Sequence, residues 1–194
     1  MNKFFKNKKG LSFLEVIIAI FIFSLIMAAA ARSFSNFVAT YRSTKAVQKD
    51  LENAQYSINL MAKVIRTGNV INCNGSNCSV AGDYTSISIY DYSQRKCIIY
   101  RFSGNKLQAS SADVPASDPG DGSTCAFSSS YSDMTTGYVE SGKFYVIPTI
   151  AGSAAGRVSV SLSICQPNAS SSGCSTNPND KSRIQTTVSL RNLP

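Results

Sequence analysis

The 194-residue sequence contains no histidine, which removes imidazole acid–base chemistry, His-containing triads and His metal ligands. Its six cysteines fall at Cys-x4-Cys, Cys-x8-Cys and wider spacings, which do not match common zinc patterns. No nucleophile motif stands out, so an enzyme is not expected. Acids are scarce: 11 Asp and Glu against 19 Lys and Arg, a formal charge of +8. Four of those bases, Lys3, Lys6, Lys8 and Lys9, lie in the first ten residues with no acid among them. The other 15 bases and 11 acids leave only +4 beyond that point. With no later Lys/Arg cluster and no basic stretch interleaved with aromatics, this residue argues against a nucleic-acid partner. Glycine and proline are missing from residues 11–67, so nothing there interrupts a helix.

That uninterrupted stretch begins with a long apolar run. Between Val16 and Ala31 the only polar side chain is Ser24. Adding residues 11–14 gives about 21 residues, roughly 31 Å of helix, enough to cross a bilayer core of about 30 Å. One carboxylate, Glu15, sits inside the run. An ionisable group at such depth is costly and calls for a named partner. If the chain is cut after Gly10, Leu11 carries a free amine four residues before Glu15. The carboxylate could meet that amine over one helical turn, or meet the amine of a staggered neighbouring helix. A secretory signal would instead have a short apolar core and a small-residue cleavage site, which Ala28-Ala29-Ala30-Ala31 could imitate. Such a signal has no use for Glu15.

The sequence Lys8-Lys9-Gly10-Leu11-Ser12-Phe13-Leu14-Glu15-Val16 resembles the start of type IV filament proteins, the type IV pilins and type II secretion pseudopilins. In them a basic leader ends in Gly, a hydrophobic residue follows, and Glu stands at the fifth mature position. The resemblance implies cleavage between Gly10 and Leu11 and N-methylation of Leu11 by prepilin peptidase. It also implies assembly with other pilins through Glu15, on an inner-membrane platform and in contact with membrane lipid. Leu11 departs from the usual Phe. The basic leader reads as a positive-inside signal, placing the N-terminus in the cytoplasm and the C-terminal part outside the cytoplasmic membrane, single-pass. Major pilins often carry Pro near mature position 22, where this chain has Arg32. Residues 50–54 and 60–66 and the ending Thr187-Val188-Ser189-Leu190-Arg191-Asn192 look like the J-class minor pseudopilins and W-type minor pilins. A structural subunit of a pilus or secretion filament is the function implied. The alternative is a binding module displayed on such a filament, an adhesin or DNA-uptake tip.

Beyond the apolar run, Phe34, Phe37 and Tyr41 keep helical spacing. Val47, Leu51, Ala54, Ile58, Met61 and Ile65 then follow at steps of four and three, an amphipathic stripe. Lys49, Asp50, Glu52, Asn53, Gln55, Asn59 and Lys63 are assigned to the opposite, solvated face. The stripe is too short for a coiled coil and suits packing on a sheet. One helix is expected to end near Thr67, with Gly68-Asn69 as a C-terminal stop. The pattern then turns to alternation. Segments 86–90, 97–102 and 106–108 read as strands, with Ser103-Gly104-Asn105 as a hairpin turn. So do 144–147, 158–164 and 184–190. Stretches 109–137 and 166–183 read as long polar loops. The expected class is α+β: a long N-terminal helix, transmembrane in its first half and amphipathic in its second, packed on an antiparallel β domain. The expected divisions are a leader 1–10, an assembly helix 11–33, an amphipathic helix 34–68 and an extracytoplasmic β domain 69–194.

Six cysteines, Cys73, Cys78, Cys97, Cys125, Cys165 and Cys174, follow the apolar run, an even number suited to disulfides in an exported domain. Six allow 15 connectivities. The nearest pairings, 73–78, 97–125 and 165–174, each close a local loop. Asp118 and Asp121, in Asp118-Pro119-Gly120-Asp121-Gly122-Ser123, resemble an oxygen-ligand loop, and some major pseudopilins bind calcium in an outer-domain loop. The EF-hand spacing and its bidentate Glu are missing. Asp, Gly and Pro together make a turn, and no cofactor is expected.

Overall fold

The computed structural model describes residues 12–115, 119, 122, 124–125, 130–149, 156–165, 173–174 and 181–190. The chain divides into two compact units, Met1–Lys45 and Ala46–Pro194. A single helix, α1 (Phe13–Thr67), contributes to both. It runs without a break through Arg32, as the missing prolines and glycines require.

Among the described residues of the second unit, ten strands form two antiparallel sheets. The first sheet has the order β2-β1-β4-β5-β6-β7. These strands are β1 (Gly68–Cys73), β2 (Ser76–Asn77), β4 (Ser86–Asp91), β5 (Lys96–Ser103), β6 (Lys106–Asp113) and β7 (Ser132–Asp133). The second sheet has the order β10-β9-β8-β3, built from β3 (Gly82–Tyr84), β8 (Tyr138–Ile147), β9 (Arg157–Cys165) and β10 (Lys181–Ser189). This is the α+β architecture expected, with the strands shared between two sheets.

The alternation in the sequence sets the burial. Val158, Val160, Leu162 and Ile164 of β9 are at most 3% exposed, whereas the serines between them are half-buried. They join one apolar cluster with Phe144 and Val146 of β8, Ile87 and Ile89 of β4, Leu107 of β6, and the helix residues Ala54, Ile58, Met61 and Ile65. The buried helical face is wider than the four-three stripe, since Ser57 and Ala62 are buried too, while Val47 and Leu51 are only partly covered.

Asp50 and Asn53 do not belong to a solvated face. Thr136 Oγ1 donates to Asp50 Oδ1 at 2.9 Å, Thr136 N donates to Asn53 Oδ1 at 3.0 Å, and Ser57 Oγ donates to the Met134 carbonyl at 2.6 Å. At spacings of three and four these side chains form one polar row, and it pins the segment before β8 to α1. Sequence periodicity sorts residues by polarity alone and cannot see a polar partner supplied by a distant loop.

The strands also extend beyond the expected ones. β6 runs to Asp113, inside the stretch read as a loop, β7 lies in the same stretch, and β10 begins at Lys181. β8 begins at Tyr138, six residues before the expected strand. The Gly104-Asn105 turn adopts positive φ at both residues, as a tight hairpin demands. It is fastened to β8 by a hydrogen bond from Val139 N to the Asn105 carbonyl at 2.8 Å.

Three disulfides join Cys73 to Cys78, Cys97 to Cys125 and Cys165 to Cys174, with Cα–Cα distances of 5.2, 5.7 and 5.6 Å. Each cross-link removes freedom from the unfolded chain, worth on the order of 2–3 kcal/mol for loops of this length. The Cys97–Cys125 bridge holds the long connection after β6 against the first sheet. There Gly122, at φ +78°, lies over Tyr90, and an added Cβ would sit 2.9 Å from the tyrosine Cβ.

Gly68 follows α1 directly and starts β1 without a positive φ, so it is not a left-handed helix stop. Its smallness matters for another reason: an added Cβ would lie 2.6 Å from both the Ile89 side chain and the Tyr90 carbonyl. Beside it, the buried Asp91 ties the helix end to the β4–β5 turn. Its Oδ1 accepts from Thr67 Oγ1 at 3.3 Å, from Ser93 N at 2.9 Å and from Ser93 Oγ at 2.7 Å. Burial, and secondarily the Asp91 carboxylate, push the Tyr100 hydroxyl well above the usual phenol range.

Two outcomes follow for the full chain in detergent. Gly68→Ala lowers unfolding stability by about 1–3 kcal/mol, whereas Gly82→Ala, whose nearest neighbour would be 3.8 Å away, stays within about 0.5 kcal/mol of wild type. Chemical denaturation reads both, and an unchanged Gly68→Ala midpoint contradicts the packing described. The second outcome concerns alkaline pH. Above about pH 10 an unfolded tyrosine loses its proton while folded Tyr100 keeps it, so the folded state binds more protons. Stability is then full below that pH and falls as pH rises toward the folded value. Tyr100→Phe makes the decline shallower, and identical slopes in the two proteins contradict this.

Candidate assembly helix

The first unit is dominated by the apolar part of α1. Its apolar side chains are exposed, and by length and composition it can cross a membrane. Phe13 is 81% exposed and Phe21 64%. Every side of the helix is apolar, as expected of a segment whose solvent is lipid or other helices. The one hydroxyl in the run is satisfied within the helix, since Ser24 Oγ donates to the Ile20 carbonyl at 2.8 Å. Thr40 and Thr44 use the same i−4 bond, to Asn36 and Thr40 at 3.0 Å each. Phe37 and Tyr41, further along, stack one turn apart with ring centroids 6.4 Å from each other.

Glu15 occupies the first turn of α1 and is exposed. Ser12 immediately precedes the helix, and its carbonyl accepts from Glu15 N at 3.0 Å and Val16 N at 3.3 Å. Ser12 and Glu15 therefore stand at the N-cap and third positions, the Ser-x-x-Glu spacing of a capping box. A carboxylate there also faces the positive end of the helix dipole. The four-letter pattern is legible in the sequence, although the apolar run draws attention to membrane depth instead. Glu15 thus suits the helix start within its own chain, and its side chain is exposed.

Of the other sequence-derived sites, Gly10 and Leu11 lie outside the described residues, as do Asp118 and Asp121. Among the described residues no group of three His, Cys, Asp or Glu could hold a metal ion. The six cysteines are brought together in pairs, away from Glu15 in sequence and in the other unit.

Comparison with known families places a match on this element. Residues 5–31 fit the model of the prokaryotic N-terminal methylation motif, covering part of the basic leader, Gly10, Leu11, Glu15 and the apolar run to Ala31. Searches of curated proteins and of solved structures found no match. The motif supports a type IV pilin-like or pseudopilin-like subunit that prepilin peptidase processes and that has other pilins as partners. Subunits of this kind are in general structural rather than enzymatic. The apolar helix and the motif are together consistent with anchoring in the inner membrane and incorporation into a filament.

Proposed function

We propose that the chain is a minor subunit of a type IV pilus or type II secretion filament, related to the J-class pseudopilins or W-type minor pilins. The observation that carries this reading is Glu15 in the first turn of an apolar helix that is otherwise uncovered by its own chain. In the precursor, the lysines of the leader keep the N-terminus cytoplasmic while the second unit crosses to the outside. Prepilin peptidase cuts after Gly10 and methylates the new Leu11 amine. The subunit waits in the inner membrane with its apolar helix in lipid, then joins other pilins on the assembly platform. There Glu15 neutralises the amine of a neighbouring chain. The pairing gives register as well as energy: an apolar helix can slide along another at little cost, whereas a buried charge must find its opposite. The second unit supplies the outward-facing surface of the subunit.

Cleavage between Gly10 and Leu11 is expected, and Gly10→Phe blocks it, because a bulky side chain does not fit a protease that accepts only a small one. Intact mass of membrane-extracted protein reads the N-terminus. A mature chain beginning elsewhere, for instance after Ala28–Ala31, contradicts the assignment.

Glu15→Ala separates insertion from assembly. Removing the acid eases entry of the single chain, since a mid-membrane acid costs about 2.5–3.5 kcal/mol on translocon scales and less toward an edge. In the filament the sign reverses, because a neighbour's amine is left unpaired at a cost of about 3–5 kcal/mol. The variant is therefore cut and inserted at normal abundance but lost from crosslinks to sibling pilins. Normal crosslinking at normal abundance removes the role given to Glu15.

A further inference from the structure

The outward face of the second sheet carries a built cavity. Its opposite face is the core, through Phe144, Val146, Val158, Val160 and Leu162. The outward face is a trough of about 380 Å³. The floor belongs to β9, where Ser159 and Ser161 are short. One wall belongs to β8, where Lys143 lies opposite Ser161 and Tyr145 opposite Ser159. The other wall belongs to β10, where Gln185 lies opposite Ser161 and Arg183 opposite Ser163. With strands about 4.8 Å apart, the walls stand about 10 Å from each other. Asp83 of β3 closes the far side, held by Lys143 Nζ at 2.7 Å.

The groups around this trough differ in kind and converge. Tyr145, 42% exposed, offers an aromatic face. Ser159 and Ser161 offer hydroxyls, Gln185 an amide, Asp83 a carboxylate and Arg183 a planar guanidinium. An aromatic plane beside hydroxyl, amide and carboxylate groups suits a sugar ring, whose C–H face is apolar and whose edge is a ring of hydroxyls. The charge selects among sugars. Among the described residues, both acids on this face are paired with lysines, Asp83 with Lys143 and Glu140 with Lys181. Arg157 and Arg183 are then in excess among the described residues of the face. A guanidinium takes a carboxylate through two parallel hydrogen bonds. Two excess cations are too few for the phosphate-by-phosphate neutralisation that nucleic acid demands. We propose that this trough binds an acidic oligosaccharide, with Tyr145 under a sugar ring, the β9 serines and Gln185 on its hydroxyls, and Arg183 on its carboxylate.

The test is independent of assembly and uses the full chain in detergent micelles. It is titrated with trigalacturonate, with the neutral maltotriose and with a thymidine trinucleotide. Trigalacturonate binds at least about tenfold more tightly than either of the others, and added salt weakens it. Arg183→Ala and Ser161→Leu each weaken it by about tenfold or more, Arg183→Lys recovers part of the loss, and Lys96→Ala, on the other sheet, changes nothing. The unfolding midpoint is measured alongside. Arg183 is exposed, so its alanine variant keeps the fold and carries the test if Ser161→Leu does not. No binding of trigalacturonate, equal or tighter binding of maltotriose or of the trinucleotide, or unchanged affinity in Arg183→Ala overturns the proposal.

Discussion

Twelve large apolar side chains between Phe13 and Met27 stand between 41% and 81% exposed on a helix that buries none of them in its own chain. Full burial of such a side chain is worth about 1.5–3 kcal/mol. With roughly half of each already covered by the helix, water contact here costs on the order of 10–20 kcal/mol. That cost exceeds the net stability of many whole domains, about 5–15 kcal/mol. The segment must therefore be covered from outside, by lipid or by other helices. Within the run, Ser24 returns its hydroxyl to the Ile20 carbonyl, so that polar group is satisfied inside the helix. The one charge in the run, Glu15, sits in the first turn, where the helix dipole favours it.

The same helix meets the opposite demand in its last twenty residues. There one face is packed to near-zero exposure at Ala54, Met61 and Ile65. A second, polar row at Asp50, Asn53 and Ser57 holds the segment that leads into β8. Apolar burial supplies the free energy, and the polar row supplies position, because each hydrogen bond is lost if that segment shifts by one residue. At the C-terminal end, the tight fit of Gly68 and the Asp91 network leave little freedom where helix becomes strand. Disulfides then tie Cys125 to Cys97 of β5 and Cys174 to Cys165 of β9.

Much of this could be read from the residues. The uninterrupted helix followed from missing Gly and Pro, β4, β9 and most of β10 followed from alternation, and β5 followed from the hairpin turn behind it. The two longer strands that escaped, β1 and the first half of β8, share a physical cause. Each carries a register shift, between Val70 and Asn72 and between Val139 and Ser141. An extra residue at a bulge breaks the period-two pattern on which strand reading depends. The division into two sheets was not legible either, since alternation reveals a strand but not its neighbour. At the candidate assembly site, Glu15 was legible by spacing, and so was its Ser12 cap, although the apolar run masked it. The trough on the second sheet left only a weak trace in the sequence: the serines of β9 appear as the polar half of an alternating strand, and nothing local says which side chains will flank them.

The central claim is that Glu15 of one chain neutralises the N-terminal amine of another. A carbodiimide joins a carboxylate to an amine only when the two are in direct contact, without a spacer, and peptide mass spectrometry then identifies both partners. Applied to membranes in which the filament is assembling, the account predicts an amide between Glu15 of this chain and the N-terminal residue of a different pilin. A Glu15 peptide that stays unmodified, or that joins only Leu11 of its own chain, contradicts it.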